Sequence, residues 1–260
     1  MAQANAYSSG SQSLTANTPT EVRVPIRNRF FLATSLTEEV APTGRYTVSI
    51  GSMKRRQFLT QGGVIRDNLL LGNGNEPFYL FGGFLFYPDD EIIFQLDDLS
   101  GSTNTVHLAV HGRDLTIEEA LEYIKQGKQH VSYSIAAQTI TTNGGIANPV
   151  IRGRDRGWQV RALTLTNTSD FDLQVESSGR QGTLFAVPIR ANSINGTPNR
   201  PYLLFGDGWR VEPRSQLISY ITSRVGTSNT IAVAYHGEET LKVDYELARI
   251  EKLRVQPVTA

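Results

Sequence analysis

The feature that most constrains this chain is an internal repeat, in which the stretch before Gly112 recurs before Gly237. The agreement is strongest where PFYLFG from Pro77 recurs as PYLLFG from Pro201. After one slipped position the copies keep a single register through the following pairs: Phe84 and Trp209, Phe86 and Val211, Pro88 and Pro213, Ile93 and Ile218, Gly101 and Gly226, Asn104 and Asn229, His111 and His236. A register of this length predicts two related folded units.

Short alternating runs separated by turn residues predict that both units are built from β-strands. Tyr46, Val48 and Ile50 share one face of such a run, since successive side chains of a strand point to opposite sides. Clusters of Gly, Asn, Asp and Pro, residues that favour tight turns, lie between the runs. The fold class expected is all-β, with two tandem related β-sandwich or barrel domains.

One helix stands out in the first copy, at about residues 115–128, and is absent from our alignment of the second. Thr116 is the candidate N-cap, Glu119 follows three residues later, and Gly127 ends the segment. We therefore predict a helical insertion, after which the strand Val131–Ile135 matches a strand at Val243–Leu247. The apolar stripe of this helix could cover its own sandwich or dock on another subunit.

The expected domain limits follow from these matches. Residues 1–21 are rich in Ser, Ala, Thr, Asn and Gln, and they predict a flexible N-terminal arm. Residues 22–140 form the first domain, residues 141–148 a linker with Asn143-Gly144-Gly145, and residues 149–260 the second domain. The arm is either a frayed end or a segment that orders on a neighbouring subunit.

Composition excludes several classes of function. Lys plus Arg and Asp plus Glu number 25 each, so no net charge attracts nucleic acid or an anionic membrane over long range. The absence of cysteine excludes disulfide frameworks, thiolate nucleophiles and the commoner zinc sites. Neither a signal peptide nor an apolar run of about 20 residues is readable, so we expect a soluble protein made in the cytoplasm.

No catalytic, cofactor or metal site is predicted. The chain lacks a G-x-S-x-G elbow and a glycine-rich phosphate loop followed by a helix. His111 and His236 occupy matching positions and are interpreted as strand-end residues bonded to the backbone. The carboxylates at Asp89-Asp90-Glu91 and Asp97-Asp98 are not repeated in the second copy, which favours solvated loops over a calcium site.

Aromatic residues crowd one stretch of each copy, and alternation buries only about half of such a run in one core. The other half forms either a second packed layer between the copies or an exposed patch for a partner. The neighbouring basic residues are interpreted as solvated or as bridging subunits. The candidate interface residues are therefore Phe78, Tyr79, Phe84, Phe86, Tyr202, Trp209, Arg55 and Arg56.

A neutral chain without cysteine, with a polar arm followed by duplicated β-sandwich units, resembles the small structural proteins of tailed-bacteriophage virions. The similar classes are head decoration or cement proteins and collar or neck proteins. The resemblance implies a non-enzymatic protein that stabilises the capsid or the head-tail junction through contacts between many copies. It implies a homo-oligomer whose partners are the major capsid protein, portal or neck proteins, located in a virion assembled in a bacterial cytoplasm.

A second hypothesis remains open at this stage, because β-sandwiches with exposed aromatic residues also bind ligands at their surfaces. The chain could be a carbohydrate- or receptor-binding module that uses Tyr202 and Trp209. The two hypotheses differ in what those side chains face, a neighbouring subunit or a sugar.

Overall fold

The order of strands and helices repeats along the chain. The computed structural model describes residues 4–39, 44–61, 65–135, 137–152, 155–165, 170–179, 183–185, 187–194, 196–198, 200–204 and 208–255. Residues 1–3 of the predicted arm and 256–260 of the predicted second domain lie outside this range. Here "first unit" denotes residues 4–126 and "second unit" residues 128–255.

The first unit contains thirteen strands and two helices among its described residues. They are β1 (Ala4–Ser8), β2 (Gln12–Leu14), β3 (Thr20–Pro25), β4 (Phe30–Glu38), β5 (Tyr46–Ser52), β6 (Gln57–Phe58), β7 (Thr60–Gln61), β8 (Ile65–Arg66), α1 (Asp67–Leu70), β9 (Gly72–Asn73), β10 (Phe78–Phe86), β11 (Glu91–Asp98), β12 (Asn104–Val106), β13 (Leu108–Leu115) and α2 (Ile117–Lys125).

The second unit contains twelve strands and two helices among its described residues, in a similar order. They are β14 (Lys128–Ser134), β15 (Gln138–Ile140), β16 (Ile146–Ala147), β17 (Val150–Arg152), β18 (Trp158–Leu165), β19 (Phe171–Ser177), β20 (Ile189–Arg190), α3 (Ala191–Ile194), β21 (Tyr202–Leu203), β22 (Trp209–Val211), β23 (Gln216–Ser223), β24 (Asn229–Ile231), β25 (Val233–Thr240) and α4 (Val243–Val255).

The strands of the first unit form two main sheets, one ordered β1-β13-β4-β10 and the other β3-β11-β5-β6. Numbered 1 to 8 along the chain, these strands give the orders 1-8-3-6 and 2-7-4-5. This is the connectivity of a jelly roll, a sandwich made of two Greek keys. The pair β2 and β12 forms a small separate ladder.

The second unit repeats this topology. Its sheets are ordered β21-β18-β25-β14 and β16-β23-β19-β20, and β15 pairs with β24 as β2 does with β12. The strands β11, β12 and β13 each begin 125 positions before β23, β24 and β25. The prediction of an all-β chain with two related sandwich units is confirmed.

The predicted strand at Val243–Leu247 is wrong, because these residues begin helix α4. Tyr245 is exposed and Glu246 is fully buried, which reverses the alternation that a strand would need. Since α4 follows β25 as α2 follows β13, the helix is not an insertion limited to the first copy. The capping box of α2 is confirmed, with Thr116 and Glu119 bonding reciprocally.

The prediction of a flexible arm is wrong for the described residues before Thr20. Ala4–Ser8 pairs antiparallel with β13, and Gln12–Leu14 pairs with β12. The Tyr7 ring also contacts Phe31 edge-on, with 4.7 Å between ring centroids. Backbone pairing and this aromatic contact stabilise the segment despite its low apolar content.

The strand Val131–Ile135 pairs with the second unit, contrary to the predicted limit at residue 140. Throughout its length β14 lies antiparallel to β25, and β15 lies against β24. The predicted linker contains β16, which pairs with β23 through Ile146 and Thr222. These pairings place residues 128–148 in the second sandwich.

Three apolar clusters hold the molecule together. One lies between the sheets of the first unit and contains Phe31, Phe84 and Phe86, and a second fills the other sandwich around Phe171. The third lies outside the first sandwich, where α2 and α4 cover Phe30, Leu32, Leu85 and Tyr87. Helix α2 therefore packs on its own sandwich, the first of the two alternatives. No helix in the described ranges is long and apolar enough to cross a bilayer.

The repeated His-Gly dipeptide marks a β-bulge in each unit. The β13–β4 register shifts between His111 and Gly112, and the β18–β25 register shifts opposite Gly237. A Cβ at Gly112 would lie 2.0 Å from the Leu32 carbonyl oxygen, and one at Gly237 would lie 1.8 Å from that of Gln159. Only glycine allows this approach of two backbones.

Candidate assembly interface

The two units meet through a shared sheet edge. Strand β7 of the first unit lies parallel to β14 of the second, pairing Thr60 with Ser132 and Gln61 with Tyr133. The Ser132 amide also donates to the Leu59 carbonyl over 2.7 Å. An unpaired strand edge is a template for another chain, and here the same chain covers it.

Beside this edge, aromatic and imidazole rings fill the contact between β10 and the second unit. The Phe78 ring lies 5.9 Å from the ring of His130 and 4.7 Å from that of His236. Phe81 stacks on His130, and the two histidines stack on each other with 6.4 Å between centroids. Both histidines are fully buried.

His130 and His236 belong to a continuous chain of five hydrogen bonds between the Phe81 amide and the Leu69 carbonyl. The Phe81 amide donates to His130 Nδ1 (3.0 Å), and at the other end Thr164 Oγ1 donates to the Leu69 carbonyl (2.7 Å). Between them, His130 Nε2 bonds Ser132 Oγ (2.7 Å), which bonds His236 Nδ1 (2.8 Å), and His236 Nε2 bonds Thr164 Oγ1 (2.8 Å).

The two ends of this hydrogen-bond chain fix every proton in it. An amide can only donate and a carbonyl can only accept, so His130 and His236 each accept at Nδ1 and donate at Nε2. Both imidazoles are therefore neutral. The first unit supplies both ends, Phe81 and Leu69, and the second unit supplies every group between them.

A buried ion pair connects the units on the other side of β14. The Arg55 guanidinium donates to the carbonyl of Leu85 (2.6 Å), to Gln129 Oε1 (2.9 Å) and to Glu246 Oε1 (3.3 Å). Tyr87 donates to the other oxygen of Glu246. The side chains of Arg55 and Glu246 are fully buried, so each depends on the other for charge compensation.

The turn that carries Arg55 is held by a buried carboxylate. Asp90 is 1% exposed and accepts from the Ser52 hydroxyl and from the backbone amides of Lys54 and Glu91. The acidic run that could have suggested calcium therefore includes a structural carboxylate. Within the described ranges, no group of three or more His, Asp or Glu side chains is placed to hold a metal ion.

In the first unit, the strand equivalent to β14 is β1, and one edge of β1 is unpaired among the described residues. Strand β1 pairs with β13 on one side, and the described residues place no strand on the other. Ala6 lies opposite His111 as Ser132 lies opposite His236, so Ala6 corresponds to Ser132. Ala6 and Ser8 are exposed, whereas every residue of β14 from Gln129 to Ser134 is buried.

The eight predicted interface residues divide into two groups. Phe78, Phe84, Phe86 and Arg55 are buried inside the chain, so another subunit cannot reach them. Phe78 and Arg55 contact the second unit, as the alternative of a packed layer between the copies expects. The remaining four face solvent fully or in part: Tyr79, Tyr202, Trp209 and Arg56.

The two aromatic residues of the second copy pack against their own sandwich. Tyr202 pairs with Leu163, and its ring centroid lies 6.5 Å from that of Phe185. Trp209 pairs with Val160, and both rings are half-buried against the second core. Neither forms a free-standing aromatic platform.

Sequence reasoning did not find β1, His130 or Glu246. A signal for β1 was present, since Tyr7-Ser8 recurs as Tyr133-Ser134, but the match is short. His111 and His236 lie within strands rather than at their ends, and His111 Nε2 bonds Thr37 Oγ1 over 2.7 Å. This pair corresponds to His236 and Thr164, so a histidine-threonine bond is duplicated with the bulge.

One buried polar cluster occurs in the first unit alone. Glu38, Tyr46 and Asp67 are at most 1% exposed, and Leu165, Phe171 and Ala191 occupy the equivalent positions in the second unit. Burial, with the Asp67 carboxyl acting in the same direction, raises the pKa of Glu38 to about 7, while Tyr46 and Arg45 act in the opposite direction. The fold therefore does not require charge at this end of the sandwich.

Comparison with known proteins yields solved structures only. No protein-family model and no curated protein matches the chain. The STIV MCP aligns with a TM-score of 0.49 and 8% identity over 94% of this chain and 99% of its own. The structure of PBCV-1 VP54, which was fitted into a cryo-EM reconstruction of the virophage Sputnik, aligns with a TM-score of 0.42 and 9% identity. This alignment covers 94% of this chain and 96% of VP54.

Both of these proteins are viral major capsid proteins. Because the TM-scores lie below 0.5, the alignments do not decide the function of this chain.

Proposed function

We propose that this chain is a non-enzymatic structural protein of a virus particle, and that copies of it join through the open edge of β1. Jelly rolls form capsid shells, but the fold also occurs in lectins and cupins, so it does not select a function alone. The observation that carries the proposal is the contrast between β1 and β14. The same strand is covered within the chain in one unit and exposed in the other.

The chain itself carries a segment that fits the open edge. Leu184 donates to Val175 as Leu59 donates to Ile50, so Phe185 occupies the position of Thr60. Tyr202 likewise occupies the position of Phe78. In a neighbouring copy, Phe185 would lie along β1 and Tyr202 would lie over His111, repeating in trans the contact that joins the two units in cis.

Such a contact is heterologous, because it joins the second unit of one copy to the first unit of the next. Heterologous contacts close into rings when the rotation permits and otherwise extend into filaments. Many identical copies joined in this way are the means by which a shell or collar is built. Two related units on one chain also make successive contacts around such a ring pseudo-equivalent.

The domain limits proposed from strand pairing differ from those expected from sequence. We propose one domain over residues 4–126 and a second over residues 128–255, joined at Gly127, where φ is +70°. Each domain then begins with the outer strand of a jelly roll and ends with the helix that follows its last strand. The proposal replaces the limits 22–140 and 149–260.

We propose further that the virus particle is a tailed bacteriophage. The chain would act as a decoration or cement protein on a tailed-phage head, or in the collar or neck, in contact with the major capsid protein, portal or neck proteins. Tyr79, which is 68% exposed, and Arg56 are the side chains available for such partners. Electron microscopy of particles labelled on this chain distinguishes the head from the neck.

The carbohydrate-binding alternative is less well supported. It requires Tyr202 and Trp209 to present their ring faces to solvent, and both pack against the second core. A glycan screen in which Trp209→Ala abolishes binding would favour it over assembly.

The test of the proposed function substitutes a single edge residue. Ala6→Pro removes the amide that corresponds to the donor of Ser132, and proline is tolerated on strand edges that face solvent. We expect native mass spectrometry to find a ring of defined copy number for the unchanged chain and a monomer for Ala6→Pro. Circular dichroism should show that both are folded.

The matched control is Ala6→Ser, which keeps the amide and introduces the residue found at position 132. It should assemble like the unchanged chain. A monomeric unchanged chain at tens of micromolar, or normal rings from Ala6→Pro, would contradict the proposal.

A further inference from the structure

The contact between the two units contains a group that acid must disrupt. His130 and His236 are buried in the hydrogen-bond chain that runs from Phe81 to Leu69. Protonating His130 places a hydrogen on Nδ1, which faces the Phe81 amide hydrogen. Two donors then oppose each other, and an amide has no means of accepting.

The second ring loses a bond as well. A protonated His236 donates from both nitrogens, and the Ser132 oxygen, which has two lone pairs, can accept from both rings. The hydrogen of the Ser132 hydroxyl must then turn away from His236, and it loses its acceptor. Two cations would also be stacked with their centroids 6.4 Å apart.

The charged groups on the surrounding elements are engaged elsewhere. On β25, Glu238 pairs with Arg161 of β18 and with Lys128 of β14. Glu239 accepts from Gln129 and lies 3.7 Å from Arg156. Asp67 on α1 neighbours Glu38, the strands β7 and β10 bring only uncharged residues to the rings, and the described residues place no carboxylate in hydrogen bond with either imidazole.

We propose that the hydrogen-bond chain through His130 and His236 is an acid-sensitive latch, which holds the two units together at neutral pH and releases their contact as pH falls. The latch belongs to the single chain, so it does not depend on whether copies assemble. When the latch opens, β10 separates from β14, a conformational change that a purely structural role does not require.

The direction of the response follows from proton binding. Burial lowers the pKa of His236 to about 3 and that of His130 well below its usual value. In the opened state both histidines return to about 6.5. Opening therefore takes up protons below pH 6.5, and its equilibrium constant rises by up to about tenfold per pH unit for each histidine.

The test follows hydrogen exchange of individual amides in the full chain between pH 7 and pH 5, corrected for intrinsic exchange. The Phe81 amide reports the latch, and the Phe94 amide in β11 reports unfolding of the first sandwich. We expect Phe81 protection to fall by up to about 100-fold per pH unit, because two histidines titrate. Phe94 should retain its protection.

His236→Gln removes one titrating group and should reduce the pH dependence at Phe81 to about tenfold per pH unit. His107→Gln is the matched control, because His107 is partly exposed and pairs with Glu39 at 3.0 Å. It should leave the profile unchanged. Equal profiles for the unchanged chain and His236→Gln, or equal slopes at Phe81 and Phe94, would overturn the proposal.

A second measurement avoids substitution altogether. In protein labelled with 13C-histidine, the ring resonances of His130 and His236 should remain those of neutral imidazole until Phe81 protection is lost. Ordinary titration near pH 6.5 with Phe81 still protected would also overturn the proposal.

Discussion

Strands β1 and β14 are the same strand of two related jelly rolls, yet their surroundings differ. In β14 the six residues from Gln129 to Ser134 are buried, while half-buried and exposed residues alternate from Asn5 to Ser8 in β1. The difference arises from β7, which extends the sheet at the edge of β14, and from β10, whose Phe78 and Phe81 rings contact His130. The jelly-roll topology therefore determines that β1 pairs with β13 and β14 with β25. Whether the outer edge of each strand is buried depends on contact with the other unit.

The residues of the two strands follow this difference. Tyr7-Ser8 and Tyr133-Ser134 are shared, because Tyr faces the interior of its sandwich in both units. His130 and Ser132 have their counterparts in Ala4 and Ala6. The polar groups that bind the other unit thus occur only where that unit is present in the same chain.

The strongest way to break the comparison is to disrupt the contact that β14 has and β1 lacks. Arg55→Met leaves the Glu246 carboxylate buried without its cation, and such a loss costs about 3–5 kcal/mol. Urea unfolding should show a lower free energy of unfolding for Arg55→Met than for the unchanged chain. Adding Glu246→Leu should recover most of the loss, because paired apolar replacements are often neutral.

Arg56→Met is the control, since Arg56 is exposed beside Arg55 and should change stability by less than about 0.5 kcal/mol. Similar losses for the two substitutions would mean that the buried pair does not hold the units.

The buried polar cluster of the first unit gives a second test. Because burial raises the pKa of Glu38 to about 7, the folded state holds its proton more tightly than the unfolded state. Stability from this group is complete below pH 4.5 and is lost as pH rises through 7, by about 3 kcal/mol in total. Glu38→Gln should therefore gain stability relative to the unchanged chain between pH 5 and pH 8.

The matched change in the second unit is Leu165→Ile, which adds no charge and should show no pH-dependent difference. If the Glu38→Gln difference from the unchanged chain is constant across this pH range, Glu38 is not protonated in the folded chain.

The β-bulges at Gly112 and Gly237 should be destabilised to a similar extent by the same substitution, because both units share this feature. Gly112→Ala and Gly237→Ala each place a Cβ against a backbone carbonyl, and overpacking of this kind costs about 1–3 kcal/mol. Gly226→Ala is the control, because no atom lies within 4 Å of its added Cβ. Thermal unfolding that separates the two bulge variants widely would indicate that only one bulge is structural.

The smallest expected effect concerns the duplicated histidine-threonine bond. Thr164→Val leaves buried groups at His236 and Leu69 unsatisfied, at a cost of about 1–3 kcal/mol. Thr37→Val should cost less than about 1 kcal/mol in the isolated chain, because His111 is only partly buried and water can replace the hydroxyl. Chemical denaturation of both variants at pH 7 provides the comparison, and equal losses would contradict it.

The repeat was enough to predict the fold class and the correspondence of residues 84–112 with residues 209–237. Alternation and a fixed offset are local properties that sequence displays directly. The arm was misjudged because composition measures apolar side chains, whereas β1 is held mainly by backbone bonds to β13. Its partner lies more than a hundred residues away, and nothing local indicates it.

The match of Val131–Ile135 with Val243–Leu247 failed for a different reason. The pattern Val-x-Tyr-x-apolar fits a strand, but Leu247 and Ile250 also lie on one side of a helix, and packing on α2 selected the helix. Aromatic density is visible in sequence, and it marked the stretch from Phe78 to Tyr87 as a whole. Which aromatic residues face the other unit depends on tertiary packing, so Phe78 could not be separated from Tyr79.

Helix α4 belongs by order to the second unit, but it lies with α2 over the outer face of the first. During synthesis, Phe30, Leu32, Leu85 and Tyr87 are made long before the residues of α4 that complete their cover. The earlier jelly roll therefore emerges from the ribosome with an apolar surface still exposed. These residues are fully covered only after residues 243–253 have been made, which ties completion of the first unit to helix α4.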